Sequence, residues 1–265
     1  MQLLRIAFCL VAVAATPSVA RGDLLAEVRS RGVLRVGMAE YAPWMTLALG
    51  GKPTGLEVEI VERLAGDLGV RLQVVVTPFD ALVDRVAARD VDMVASNLSI
   101  TPERALKVAF SEPYGESEVH AVARTDLLGG DVSLEQLNNE STTIATTAGT
   151  TAAQTAAEQF PSAQITEFAT HDDAAKALLD GEAKALVGST PYPELLAASD
   201  ERLAIVGDQP LRTTVEAFAV PQGEQIFLTF LDNWIDAVTA EGFIEATRHN
   251  WYDQEDAVQP AAPPL

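Results

Sequence analysis

Cysteine is almost missing from this chain of 265 residues, which contains one, Cys9. That scarcity excludes a disulfide framework, a CxxC redox pair and a cysteine-ligated metal. Histidine is nearly as rare: His120, His171 and His249 are far apart and in no metal-ligand spacing. No metal and no cofactor is therefore expected. Positive charge is also short, with 18 Lys+Arg against 38 Asp+Glu and a net charge of -20. Such a field repels nucleic acid and anionic lipid, and the basic runs interleaved with aromatics that mark a nucleic-acid reader are missing. No segment has the ~20 consecutive apolar residues of a membrane span. What is present is a hydrophobic fraction of 48%, enough to build one large core or two lobes of ordinary size.

The N-terminus has the three-part plan of a secretory signal peptide. "MQLLR" supplies a positive charge, "IAFCLVAVAA" is a short apolar run, and "TPSVA" ends in small residues. Cleavage is expected after Ala20, placing the mature protein in the periplasm without Arg5 or Cys9. A lipid anchor on Cys9 is disfavoured, because Phe8 stands where a lipobox has a small residue. The tail 253–265 is polar and proline-rich and is expected to fray.

Between these ends, short apolar runs alternate with amphipathic stretches, the signature of βα units. A first series reads as strand 33–38, helix 55–70, strand 71–78, helix 80–90 and strand 91–97. In the first of these helices Leu56, Ile60, Leu64 and Leu68 share a face, with Glu57, Glu59 and Glu62 largely elsewhere. A second series reads as strand 141–147, helix 149–160, strand 164–168, helix 171–183, strand 184–189 and helix 191–199. A strand at 215–220 and one long helix over 224–243 follow. Two series predict two α/β lobes: 21–117 with 215–252, and 118–214. Extended segments at 118–124 and 215–220 would cross between them.

Ligands of open α/β sheets bind beyond the carboxyl ends of strands, beside helix N-termini. Four such ends carry suggestive residues: Tyr41 and Trp44; Asn97, Ser99, Thr101 and Arg104; Gly149, Thr150 and Thr151; and Ser189 with Thr190. Arg104 stands out. In "SITPERALKVAF" Thr101 suits an N-cap and Pro102 the first helical position, so Arg104 falls at the third, beside the positive end of the helix dipole. Serines and threonines at helix starts are commonly plain caps, and arginines in acidic chains commonly surface ion pairs. The coincidence at four strand ends favours an anion site, in which arginine grips a carboxylate and N-terminal amides assist.

The blocks "RGVLRVGMAEYAPWM", "GKPTGLEVEIVERLAGDLGV", "DVDMVASNLSITPERALKVAFSEPY", "AGTTAAQTAAE" and "FLDNWIDAVTAEGFIEATRHNWY" occur in that order. Together they resemble the periplasmic solute-binding proteins of amino-acid ABC transporters, family 3 type, across about residues 24–252. The resemblance implies a two-lobed clamp that closes over a small ligand and passes it to a membrane permease, as a monomer. It implies that Arg104 holds the ligand's α-carboxylate, with Ser99, the backbone at Asn97, and Thr150 and Thr151 assisting. Tyr41 would stack on the ligand's side chain, Phe79 would line the cleft, and Ser189 occupies the position of an acid that usually pairs with the α-ammonium. Serine supplies no charge, so Glu194, Glu216 or Asp172 would have to substitute, or the ligand lacks the amine. Two other functions stay open: a cyclohexadienyl-dehydratase-like enzyme on the same fold, and a sensing subunit read by a signalling receptor. Catalysis needs a positioned acid or base, for which Glu112 and Glu116 are weak candidates.

Overall fold

The computed structural model describes residues 23–252. The expected signal peptide and proline-rich tail lie outside them. The strands, in chain order, are β1 (Val33–Met38), β2 (Thr46–Leu47), β3 (Pro53–Thr54), β4 (Arg71–Val76), β5 (Met93–Val94), β6 (Val108–Phe110) and β7 (Gly115–Arg124). They continue with β8 (Thr143–Thr147), β9 (Gln164–Phe168), β10 (Ala185–Ser189), β11 (Leu203–Val206), β12 (Arg212–Glu216) and β13 (Ala219–Pro221). Two sheets result. One has the order β4-β1-β5-β13-β6 and the other β11-β7-β10-β8-β9, with β12 pairing β7; β2 and β3 form a small hairpin apart. In each sheet the strands joined by helices run parallel, while β7, by which the chain enters the second sheet, and β13, by which it returns to the first, run antiparallel to their neighbours. The mixed α/β fold has the two lobes expected.

Helix 56–68 buries Leu56, Ile60, Leu64 and Leu68, and stops at Gly69, whose φ of 71° supplies a left-handed cap. Glu57 departs from its expected outward face and is fully buried. The reason is tertiary: both carboxylate oxygens accept the backbone N–H of Asn97, at 2.9 Å each. That bond also shortens the strand expected over 91–97 to β5. Asn97 has a φ of 48°, and its amide turns away from the sheet toward Glu57. The helix expected over 80–90 begins as a 3-10 turn, Phe79–Ala81, before Leu82–Ala87.

The crossing between lobes is made by β7 and β12, paired antiparallel from Arg212↔Val119 to Glu216↔Gly115. The single strand expected over 215–220 is split. Glu216 ends a strand of the second sheet and Ala219 begins one of the first, because one strand cannot ladder with both. Between them Phe218 is buried, stacked on Tyr114 with centroids 4.4 Å apart. The long helix expected over 224–243 is present as Gln225–Ala240; it ends before Gly242, whose φ is 75°, and a further helix that the sequence pattern did not show, Phe243–Tyr252, follows it. The second folds back along helix 56–68, where Trp251 Nε1 donates to Glu59 at 2.9 Å.

Candidate functional site

The four strand ends meet where the lobes face each other. Thr101 caps helix Pro102–Ala105, its Oγ1 accepting the Arg104 amide at 3.2 Å. With one turn only, the helix has little dipole to oppose Arg104. The real cost is burial. Arg104 is 9% exposed, and desolvation lowers its pKa to about 10, which leaves it charged at neutral pH. Its guanidinium donates to backbone carbonyls, Ser99 O at 2.7 Å and Gly149 O at 2.9 Å, the second across the seam between lobes. The Phe79 ring lies 5.6 Å from the guanidinium carbon, within cation–π range.

Ser99 is the junction of this half of the site. Its Oγ lies 3.2 Å from Thr151 Oγ1 in the other lobe and 3.2 Å from Thr214 Oγ1 on β12. Ile100 N donates to Val215 O, so the loop after β5 runs along the crossing strand. Thr150 is the N-cap of helix Thr151–Gln159; its Oγ1 accepts the Ala153 amide and donates to Thr147 O. Gly149 sits directly on the first lobe, since a Cβ there would be 2.9 Å from Asp80 Cα. A groove of about 410 Å3 opens beside Arg104, lined by Asp80, Glu103, Lys107, Thr150 and Gln154 among others.

The other half is aromatic. Tyr41, buried, donates its hydroxyl to Ser189 O at 2.9 Å and accepts the Ser189 amide at 3.3 Å. Ser189 thus joins the site through its backbone. Tyr41 stacks on Trp44 and on His171, and meets the edge of Tyr192. His171 begins helix His171–Leu179 and is 7% exposed; burial drives its pKa down to about 3, only partly offset by a hydrogen bond to the Glu40 carbonyl.

Of the residues given a binding role in the sequence, Tyr41, Phe79, Ser99, Arg104, Thr150, Thr151 and Ser189 lie along one seam, whereas Asn97 turns into the first lobe. Asn97 contributes its amide to Glu57, and its side-chain Oδ1 is buried without a hydrogen-bond partner. Among the acids considered in place of Ser189, Glu216 is fully buried in an ion pair with Arg248. Glu194 lies 3.7 Å from His120, and burial raises its pKa; burial raises Asp172 as well. His171 and Tyr192 join the site without having been singled out in the sequence. A single histidine opening an acidic helix, and a tyrosine between two prolines, carry no local signal of a role.

The family model described as bacterial extracellular solute-binding proteins, family 3, matches residues 34–254. The L-cystine-binding protein TcyJ of Escherichia coli is 27% identical over 251 residues, 93% of this chain and 92% of that protein. The cyclohexadienyl dehydratase of Pseudomonas aeruginosa is 25% identical over 254 residues, 92% of each. Among solved structures, the ancestral amino acid-binding protein AncCDT-1, a precursor of cyclohexadienyl dehydratase, superposes with a TM-score of 0.79 at 29% identity, over 86% of this chain and 99% of that one.

Proposed function

Since the chain belongs to the family 3 bacterial extracellular solute-binding proteins, we propose that it is a periplasmic receptor for a small carboxylate-bearing solute. The solute is an amino acid or a related organic acid, passed to the membrane permease of an ABC transporter. The observation that carries this reading is Arg104. It is a buried cation whose guanidinium donates to two neutral carbonyls, one from each lobe, and charge-assisted bonds to a carboxylate are roughly twice as strong as neutral ones. A ligand carboxylate entering the seam would exchange those carbonyls for a charged partner, with the Ser99 and Thr151 hydroxyls and the amides opening helix 151–159 around it. The mechanism is equilibrium binding with hinge closure about β7 and β12, and no bond is made or broken.

The cystine-binding and amino acid-binding relatives support this ligand class. The dehydratase relative supports the enzymatic alternative. At the seam the groups fit binding better: His171 is stacked and neutral, and Arg104 is charged at neutral pH. The α-amine remains without a dedicated acid, so a deaminated acid is as good a candidate as a zwitterion.

The test is a thermal-shift screen of residues 21–265 against the common amino acids, L-cystine and the matching deaminated acids. Binding to the native state raises apparent stability with concentration. Arg104→Ala is expected to abolish the shift while leaving the circular dichroism spectrum unchanged; loss of folding would make Arg104 structural. Recovery of an unchanged compound after incubation separates the receptor from the enzyme.

A further inference from the structure

Tyr41 is the ring this cleft would offer to a ligand's side chain, yet both of its faces are covered by the protein itself. Trp44 stacks with centroids 4.6 Å apart at 14°, and His171 with centroids 3.4 Å apart at 18°. Two rings cannot stack on one face at those distances, so Trp44 and His171 take opposite sides. Trp44 belongs to the same loop as Tyr41 and backs it from within the first lobe. His171 comes from the other lobe, at the first residue of its helix.

The imidazole is held in a slot that crosses the seam. The rings of Phe79, from the first lobe, and Tyr192 stand nearly perpendicular to it, at 6.2 and 6.3 Å. The imidazole's place is bordered by three aromatic rings, one stacked and two edge-on, an environment that suits an aromatic ring or a delocalised planar cation. The hinge ties the two facts together. Tyr41 rides on one lobe and His171 on the other, so opening the lobes must draw the imidazole off the phenol.

We propose that His171 is an internal competitor for the ligand's side-chain position, and thereby sets both the affinity of the cleft and its preference for planar groups. The proposal rests on the reading of the cleft as the ligand site. Wherever the imidazole is stacked it holds the lobes together and occupies the Tyr41 face; a ligand enters only the fraction of molecules in which it has withdrawn. Apparent affinity is reduced by that fraction, so if nine-tenths of free molecules are stacked, removing the competitor tightens binding about tenfold.

Two variants test this without relying on one surviving the substitution. His171→Ala removes the ring, and His171→Phe keeps a ring that can stack but not hydrogen-bond. Small-angle scattering of ligand-free protein is expected to give a larger radius of gyration for His171→Ala than for wild type, and a wild-type value for His171→Phe. Titration with the amino acids and L-cystine should show tighter binding by His171→Ala and weaker binding by His171→Phe. Weaker binding by His171→Ala would make the imidazole a ligand contact and overturn the proposal, as would unchanged scattering. Arg104→Ala, run alongside, separates the two levels: undiminished binding there removes the cleft reading itself, and the competitor with it, whatever the scattering shows.

Discussion

Glu57 is the residue whose environment departs furthest from its expectation. It opens helix 56–68 fully buried, accepts the Asn97 amide and the Tyr114 hydroxyl, and lies near the Glu216–Arg248 pair. Desolvation first, then the field of Glu216, raises its pKa to about 7, against the opposing pull of Tyr114, Asn97 and Arg248. The sign of the consequence follows from linkage. Below pH ~4.5 the carboxyl is protonated in folded and unfolded chains alike, with no penalty. Between that point and about 7 the unfolded chain ionises while the native one does not, so stability falls as pH rises and then levels off. The total is on the order of 3–4 kcal/mol at most, at roughly 1.4 kcal/mol for each pH unit that separates the native from the unfolded pKa. Glu57→Gln keeps an acceptor for Asn97 and removes the charge. Urea midpoints across this window should therefore decline less with pH in the variant than in wild type; parallel slopes would show that Glu57 is ionised in the native protein.

Among the elements, the crossing strands are secured by one arginine from the C-terminal helix. Arg248 pairs with Glu216 at the end of β12, and its Nη1 donates to Tyr252 Oη at 3.1 Å. It reaches that place only because β7 begins with glycine. A Cβ on Gly115 would lie 1.7 Å from Arg248 Nη2 and 2.4 Å from Cζ. Gly115→Ala should displace the guanidinium and strand the Glu216 carboxylate, at a cost of about 3–5 kcal/mol, as is usual for a buried ion left unpaired. In an Arg248→Met background the same change should cost little more, and a double-mutant cycle by urea unfolding reads the difference. The turn after β8 makes the matching device on the closing side. Gly149 combines a φ of 74° with the close approach to Asp80, so Gly149→Ala carries about 1–2 kcal/mol of left-handed strain and also pushes the lobes apart. Weaker ligand binding, with the calorimetric enthalpy of closure reduced, is the expected result.

At the scale of the whole molecule, acid should act on the lobes before it acts on their cores. His171 is held neutral by burial, with its pKa lowered to about 3 from an ordinary value of 6.5. The groups around it are Tyr41 and Tyr192, both pushed upward by burial, the Glu40 carbonyl, Arg104 beyond Phe79, and Asp172 and Asp173 on its own helix. A group lowered in the native state withdraws stability as pH falls, here from about 6.5 down to about 3. Opening the seam exposes the imidazole without unfolding either lobe, so the first acid transition is expected to be an increase in radius of gyration at constant helicity. His171→Phe, which cannot take up the proton, should lack it. Scattering and circular dichroism recorded on the same pH series check both halves of that statement.

Much of the fold was legible because it is local. β1 and β9 fall where their apolar runs predict, and helix 56–68 shows the 3.6-residue spacing of Leu56, Ile60, Leu64 and Leu68. The Arg104 side of the seam was legible as position, not as role, for the same reason: Thr101, Pro102 and Arg104, and the Gly149–Thr151 turn, are contiguous motifs at strand ends. Tertiary structure decided the rest. It buried Glu57 because an amide 40 positions away needed an acceptor, split the strand over 215–220 between two sheets, and set His171 against Tyr41 across the seam. Periodicity records which face of an element is apolar; it cannot record which polar group a distant segment will bring to meet it. Sequence alone pointed to two α/β lobes and singled out an arginine at a strand end; only the tertiary structure set that arginine at the seam and decided what it and Tyr41 touch, because those partners come from distant segments.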